Sequence, residues 1–414
     1  MANPLFKTLV TIKGNPRVCI YTEPLWGLSM NLCIPYASVY MLALGLRDTQ
    51  VGFVATVYML SQMVFAFLSG PIVDKLGRRL STAIFDFIAF CIPCLIWWQA
   101  VNFWFFFIAA LLNGVMKVTH ISWACLLVED ADKKQIPHIY SLVIVSGQLC
   151  AFFAPISSLL VSNLTLIPAV RILYINAFVL MTVKVIVLYL ISRETKIGLI
   201  RQQETRGKSI FELTAGYRGV IKMILKSRGM VFSMVILLLV GIVGMINSTF
   251  WQVIVSKKIL VPDPLLPLFP IIKSVLSIFF LFSIMPRITG DRLKVPLLVG
   301  FVCYIAGQSL LICVPSGGAS RYLLLSVSLI FDGFGFGALS ALSESLIALN
   351  VDPAERARIM AILHVIVTAA TAPFGWIGGI LSEMSRNLPF ILNLLLLSLG
   401  FLFTLIQYAK KDRK

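Results

Sequence analysis

Twelve long apolar runs follow one another along the chain, and each is about as long as a membrane-crossing helix. A helix needs about 20 apolar residues to cross the hydrocarbon core of a bilayer, whereas barrel strands alternate over about ten residues. The sequence therefore predicts an all-α integral membrane protein with twelve transmembrane helices. The runs lie near residues 18–45, 50–70, 80–101, 103–128, 138–162, 168–191, 229–255, 264–287, 294–314, 321–348, 358–381 and 386–408.

The composition excludes the soluble classes of protein. Apolar residues make up 59% of the 414 positions and charged residues 13%, against about 25% charged in ordinary soluble domains. A soluble globule of this size could not hide so much apolar surface. We therefore exclude a soluble enzyme, a disordered chain and a fibrous protein.

The distribution of basic residues predicts the orientation. Of the 35 Lys and Arg residues, 26 fall in segments on the side of the N-terminus, six on the opposite side, and three inside spans. Lys and Arg collect in cytoplasmic loops, so we expect both termini in the cytoplasm and the chain in the cell membrane. The formal charge of +17 follows from this topology, and no nucleic acid partner is expected.

The longest polar stretch, 193–228, leaves six apolar runs on either side. We therefore expect an N-terminal six-helix bundle over 1–192, a cytoplasmic central loop over 193–228 and a C-terminal six-helix bundle over 229–414. Asp74-Lys75-Leu76 after the second run matches Asp291-Arg292-Leu293 after the eighth. Such duplicated halves are typical of secondary transporters.

The loop after the second run reads Gly-Pro-Ile-Val-Asp-Lys-Leu-Gly-Arg-Arg over 70–79. Gly70 would let two helices approach closely, and Gly77 would permit a sharp turn. Asp74 could cap a helix. Arg78 and Arg79 could pair with acidic groups or lipid headgroups at the inner surface.

This loop resembles the characteristic Gly-x-x-x-Asp-basic-x-Gly-basic-basic run of the major facilitator superfamily. The resemblance implies two pseudo-symmetric six-helix bundles that rock about a central site, with this loop as part of a gate. The second copy departs from the pattern because it lacks the second glycine. The candidate gating residues are Gly70, Asp74, Gly77, Arg78, Arg79, their candidate acidic partners Glu129 and Asp130, and Asp291 and Arg292 of the second copy.

A few ionisable residues interrupt the apolar runs near their middle. Such a group costs at least about 2.5–3.5 kcal/mol at the bilayer centre unless it is paired or hydrated. Lys117, Lys273 and Asp332 lie there, and His120 shares the helix face of Lys117. The family resemblance implies that spans one, four, seven and ten line the cavity. It thus places Lys117, His120 and Asp332 around the central site, with Asn247 and Asn31 as hydrogen-bonding candidates. Lys273, near the middle of the eighth run, is the remaining candidate for substrate binding.

Two lysines and a titratable histidine against one aspartate predict a cationic cavity that favours an anionic or zwitterionic solute. The alternative is a Lys–Asp ion pair that only fixes the two bundles together. Asp332, Glu23 and His120 are the candidates for proton coupling, since buried carboxyl groups and histidines readily exchange protons.

The expected function is secondary active transport of a small polar or anionic solute by alternating access, coupled to protons or sodium. The alternative is a proton-coupled, multidrug-type exporter of amphiphilic compounds, and symport and antiport both stay open. A nucleotide-binding loop, a nucleophile–base set and a metal-ligand cluster are missing from the sequence. We therefore expect neither an enzyme nor a cofactor, and a monomer whose partners are its solute, its coupling ion and the bilayer.

Overall fold

The computed structural model describes residues 4–132, 135–210, 212, 227–279, 294–350 and 356–412. These residues form helices joined by short turns, and no strand occurs among them. The helices, named in chain order, are α1 (Pro4–Thr11), α2 (Gly14–Cys33), α3 (Ala37–Ala43), α4 (Asp48–Leu76), α5 (Arg78–Asp86), α6 (Ile92–Trp98), α7 (Phe103–Gly114), α8 (Met116–Val128), α9 (Ile136–Cys150), α10 (Ala154–Leu164), α11 (Leu166–Ile191), α12 (Lys196–Glu204), α13 (Arg228–Lys257), α14 (Phe269–Phe279), α15 (Lys294–Cys313), α16 (Ser320–Asn350), α17 (Arg356–Thr371), α18 (Pro373–Met384) and α19 (Leu388–Asp412).

The all-helical membrane fold predicted from the sequence is confirmed. Within the described ranges, ten helical stretches are long and apolar enough to cross a membrane. The first predicted span is instead broken by a 3₁₀ turn at Ile34–Tyr36, where Pro35 cannot donate a backbone hydrogen bond. The eighth begins with a 3₁₀ turn and continues as α14; its predicted end near 287 lies outside the described residues.

The chain divides by its contacts into two compact units. The first comprises Met1–Ile34 and Val57–Gly216. In it, α2 packs against α9 and α11, and α5 packs against α8. Its core holds fully buried apolar side chains such as Leu126, Ile139 and Met181.

The second unit comprises Pro35–Thr56 and Tyr217–Lys414. Here α16 packs against α13, α14 and α15, and α19 packs against α13 and α15. Ile236, Val240 and Val243 recur at helical spacing on α13 and are buried. The predicted bundles 1–192 and 229–414 describe the sequence repeat, and that division stays a prediction.

Candidate functional site

A cavity of about 240 Å³ opens in the second unit among α13, α14, α15 and α16. Aromatic and aliphatic side chains form part of its wall, and carboxylate, ammonium, amide and hydroxyl groups form the rest. Its lining residues are Gly244, Asn247, Ser248, Trp251, Gln252, Pro270, Lys273, Tyr304, Leu329, Asp332 and Phe336.

Asp332 is the best-supported charge on this wall. Its side chain is buried, and the Lys273 Nζ atom lies 2.7 Å from its Oδ2 atom. Its Oδ1 atom accepts hydrogen bonds from Gln308 Nε2 at 2.5 Å and Asn247 Nδ2 at 3.2 Å. An ammonium and two amide groups therefore donate to the Asp332 side chain.

A layer of amides behind Asp332 fixes the donors that face it. Asn247 Oδ1 accepts from Gln308 Nε2 at 3.2 Å and from Asn393 Nδ2 at 3.4 Å. Asn393 also donates to Gln308 Oε1 at 3.0 Å, and Asn247 donates to the Tyr304 hydroxyl at 3.1 Å. Each amide thus has one orientation that satisfies its neighbours, which makes the network rigid.

Two glycines allow the close helix approach on which this network depends. A Cβ atom at Gly307 would lie 2.6 Å from the backbone nitrogen of Asp332, and one at Gly335 would lie 2.5 Å from that of Tyr304. Small residues let the backbones of membrane helices pack closely. At this distance Gln308, one residue after Gly307, reaches the Asp332 carboxylate.

The structure brings together three of the predicted substrate-site residues, Asp332, Lys273 and Asn247. Lys273 is the counter-ion of Asp332, because α14 packs directly against α16. The suggested ion pair that fixes the two bundles together is therefore not formed by Asp332 and Lys273, which both belong to the second unit.

The other three predicted substrate-site residues belong to the first unit. Lys117 is half-buried and His120 is exposed, both on α8, and Asn31 donates to the Gly27 carbonyl at 2.8 Å. The described wall of the cavity in the second unit carries one ammonium and one carboxylate and is formally neutral. A cationic site that also includes Lys117 and His120 stays a prediction. A role of these three residues in substrate binding stays a prediction.

Sequence reasoning missed Gln308, Tyr304 and Asn393. Apart from Asn247 and Asn31, the predicted substrate-site residues were ionisable groups inside apolar runs, and these three side chains are uncharged polar groups. A buried amide without a partner is also unfavourable in an apolar medium. Amides within apolar runs were therefore a usable signal, although their partners depend on helix packing.

The predicted gating residues form a second polar cluster, within the first unit. The Arg78 guanidinium donates to both carboxylate oxygens of Glu129 at 3.2 Å and to Asp74 Oδ1 at 2.9 Å. The Thr195 hydroxyl also donates to Glu129. The Arg79 guanidinium, by contrast, donates to the Tyr189 carbonyl at 2.7 Å and stacks on the Tyr189 ring, and among the described residues it pairs with no carboxylate.

Glu194 supplies the helix cap that the sequence assigned to Asp74. Its Oε1 and Oε2 atoms accept the backbone N–H groups of Arg78 at 2.9 Å and Arg79 at 3.0 Å. These are otherwise unpaired donors at the start of α5. Gly77 turns the chain with φ +85°, as the sequence predicted for this position.

Gly70 and Asp130 do not join this cluster. A Cβ atom at Gly70 would meet no atom of the described residues within 4 Å, so none of the described helices makes the expected close approach at Gly70. Asp130 is exposed. Asp291 and Arg292 lie outside the described residues, and the gating role of the whole set stays a prediction.

Glu23 lies apart from both clusters, buried on α2. The charged groups that act on it are Lys184 and Asp86, which pair with each other at 3.4 Å. The sequence could not predict that these groups lie near one another, because they belong to three separate helices.

The chain matches the family model of the Major Facilitator Superfamily over residues 25–317. No curated protein sequence matches it. Its fold is similar to that of the nucleoside transporter NupG, with 15% identity, TM-score 0.73, and coverage of 96% of this chain and 99% of that one. It is similar to a POT family transporter in complex with a thioalcohol-conjugated peptide, with 14% identity, TM-score 0.70 and 96% coverage of both chains. It also resembles the human organic anion transporter MFSD10, with 14% identity, TM-score 0.63, and coverage of 97% and 100%. The family model spans more than half of the sequence, and the chain is therefore a member of the major facilitator superfamily.

Proposed function

We propose that this protein is a secondary active transporter that moves a small polar or anionic solute by alternating access, driven by protons. The observation that carries the proposal is the buried Lys273–Asp332 pair on the wall of a cavity, held by a network of amides. Ionisable groups inside membrane segments are costly and mark solute or ion pathways.

The size and chemistry of the cavity support a small solute. Pockets for drug-sized ligands have volumes of about 300–1,000 Å³, and this cavity has about 240 Å³. The Gln252 Oε1 atom on its wall is buried and has no hydrogen-bond partner among the described residues, so it is available to a solute N–H or O–H group. The similar structures include a nucleoside transporter and an organic anion transporter, and we carry over only the shared polarity of those solutes.

Export of amphiphilic compounds is the second candidate function. The apolar part of the wall, with Trp251, Leu329 and Phe336, supports it. The small volume of the cavity and its paired charges support the polar solute instead.

Transport into proteoliposomes with an imposed pH gradient tests the proposal. We expect accumulation of at least one of uridine, a dipeptide and a dicarboxylate, and little accumulation of an amphiphilic cation. Asp332→Asn should reduce transport at least about tenfold, since a lost interaction of about 1.4 kcal/mol is a factor of ten. The matched control is Asp263→Asn, because the Asp263 carboxylate binds Ser256 at 2.6 Å and does not line the cavity.

Two results would contradict the proposal. Unchanged transport in Asp332→Asn would remove the cavity from the mechanism. Accumulation confined to the amphiphilic cation would favour the exporter.

We further propose that the protein lies in the plasma membrane as a monomer with both termini in the cytoplasm. The excess of basic residues in the segments on the side of the termini supports this orientation.

A further inference from the structure

Three charged side chains are buried in the interior of the first unit. Glu23 on α2, Asp86 on α5 and Lys184 on α11 are 8%, 3% and 4% exposed. Two carboxyl groups thus share the environment of one ammonium. This imbalance is unusual, because a buried charge is retained when it is paired and hydrogen-bonded.

The Lys184 ammonium pairs with the Asp86 carboxylate. Lys184 Nζ lies 3.4 Å from Asp86 Oδ2, and the Thr119 hydroxyl donates to Asp86 Oδ1 at 3.0 Å. Both Asp86 oxygens therefore have a partner, and the pair is neutral as a whole.

Glu23 is the carboxyl group that remains. No hydrogen-bond donor among the described residues reaches it. The charged groups near it are Lys184 and Asp86, and Lys184 is already paired with Asp86. The other titratable groups near it are the thiols of Cys19 and Cys150, and neither carries a positive charge.

We infer that Glu23 is a proton-binding site: its carboxyl group holds a proton while Lys184 is paired with Asp86. Binding a proton removes the charge that would otherwise be buried without compensation. Asp332 differs, because an ammonium and two amide donors lie within hydrogen-bond distance of its oxygens.

The same arrangement provides a route for releasing the proton. When the O–H bond of Glu23 breaks and the proton passes to water, Lys184 can turn from Asp86 towards the new carboxylate. The Lys184 ammonium then pairs first with Asp86 and afterwards with Glu23. At any time, at most one of the three side chains carries a charge without a counter-ion. A role of Glu23 in coupling transport to protons rests on the proposed function. Its role as a proton-binding site does not.

Infrared spectroscopy of the purified full-length protein in lipid nanodiscs tests the site without any solute. At neutral pH we expect a C=O stretching band of a protonated carboxylic acid that shifts in D₂O. Glu23→Gln should remove this band, whereas Glu383→Gln, which changes an exposed glutamate, should leave it. Because Gln matches the protonated acid in shape and charge, Glu23→Gln should change the melting temperature by less than about 2 °C.

Asp86→Asn gives an independent check. It leaves Glu23 in place but makes it the sole carboxylate for Lys184, so Glu23 should ionise and the band should disappear. A band that persists in Glu23→Gln or in folded Asp86→Asn would overturn the assignment. So would a wild-type protein without the band, or a band that responds to sodium rather than to pH.

Transport separates the site from the proposed function. In proteoliposomes, Glu23→Gln should lose accumulation driven by a pH gradient and keep solute exchange at equal pH. Retained pH-driven accumulation would overturn the coupling role of Glu23. A Glu23-dependent band in a wild-type protein that transports nothing would instead overturn the proposed function and uphold the proton site.

Discussion

The loop between α4 and α5 requires a residue without a Cβ atom at Gly77. The residue has φ +85°, and a Cβ atom there would lie 2.4 Å from Gln202 Nε2 and 2.5 Å from Glu194 Oε2. Gly77→Ala should lower the free energy of unfolding by about 1–3 kcal/mol, the range for a strained backbone conformation. Thermal unfolding in detergent measures this loss.

Gly70, seven residues earlier in the same motif, is the matched control. A Cβ atom there would meet nothing within 4 Å, and the residue lies inside α4. Gly70→Ala should leave stability unchanged or raise it by up to about 1 kcal/mol, as alanine does inside a helix. If Gly70→Ala and Gly77→Ala lost equal free energy of unfolding, the backbone conformation at Gly77 would not be the cause of the loss.

Residue types predicted candidate sites better than they predicted partners. The cost of a charge in an apolar run identified Asp332 and Lys273 from the sequence, and the structure places them together. The sequence did not identify Lys273 as the counter-ion of Asp332, because this depends on the packing of α14 against α16. Glu194 was missed as a cap for the same reason, since it lies more than a hundred residues after the helix that it caps.

At the scale of elements, the start of α5 depends on a side chain from the segment before α12. Glu194 accepts the backbone N–H groups of Arg78 and Arg79, and its negative charge also suits a helix N-terminus. Glu194→Ala should therefore cost about 1–2 kcal/mol of stability. Glu204→Ala should cost less than about 0.5 kcal/mol, because its ion pair with Arg201 is half exposed.

Parallel thermal unfolding of the two variants checks this difference. If Glu204→Ala lost as much stability as Glu194→Ala, the cap would contribute nothing beyond a generic surface charge.

Apolar run length predicted the membrane helices well. Ten of the twelve expected spans are long apolar helical stretches within the described ranges. Hydropathy averages over about 20 residues, so it cannot register the local break at Pro35 that divides the first span into α2 and α3. The loss of one backbone donor there depends on residue geometry rather than on apolar content.

At the scale of the whole molecule, the contact units do not follow the sequence halves. Residues 35–56 precede the central loop by more than a hundred positions, yet they belong to the second unit. Ser38 donates to the Thr249 carbonyl at 2.6 Å, and Thr56 donates to the Ala372 carbonyl at 2.7 Å. A Cβ atom at Gly379 would lie 2.6 Å from the carbonyl oxygen of Asp48. Hydropathy could not predict this, because close glycine contacts are specified by packing.

The ion pair between Asp48 and Arg386 should decide how firmly residues 35–56 are held in the second unit. Asp48 begins α4 and is buried, while the Arg386 side chain is 31% exposed. Breaking a fully buried pair costs about 3–5 kcal/mol, and we reduce this to about 1–2 kcal/mol because solvent screens Arg386. Asp48→Asn should therefore speed amide hydrogen exchange across 35–56 about tenfold, since 1.4 kcal/mol of local opening free energy is a factor of ten. Exchange in α9 and α11 should not change, and Asp263→Asn should leave 35–56 as in the wild type. Equal acceleration in every helix would mean that Asp48 stabilises the whole fold rather than this segment.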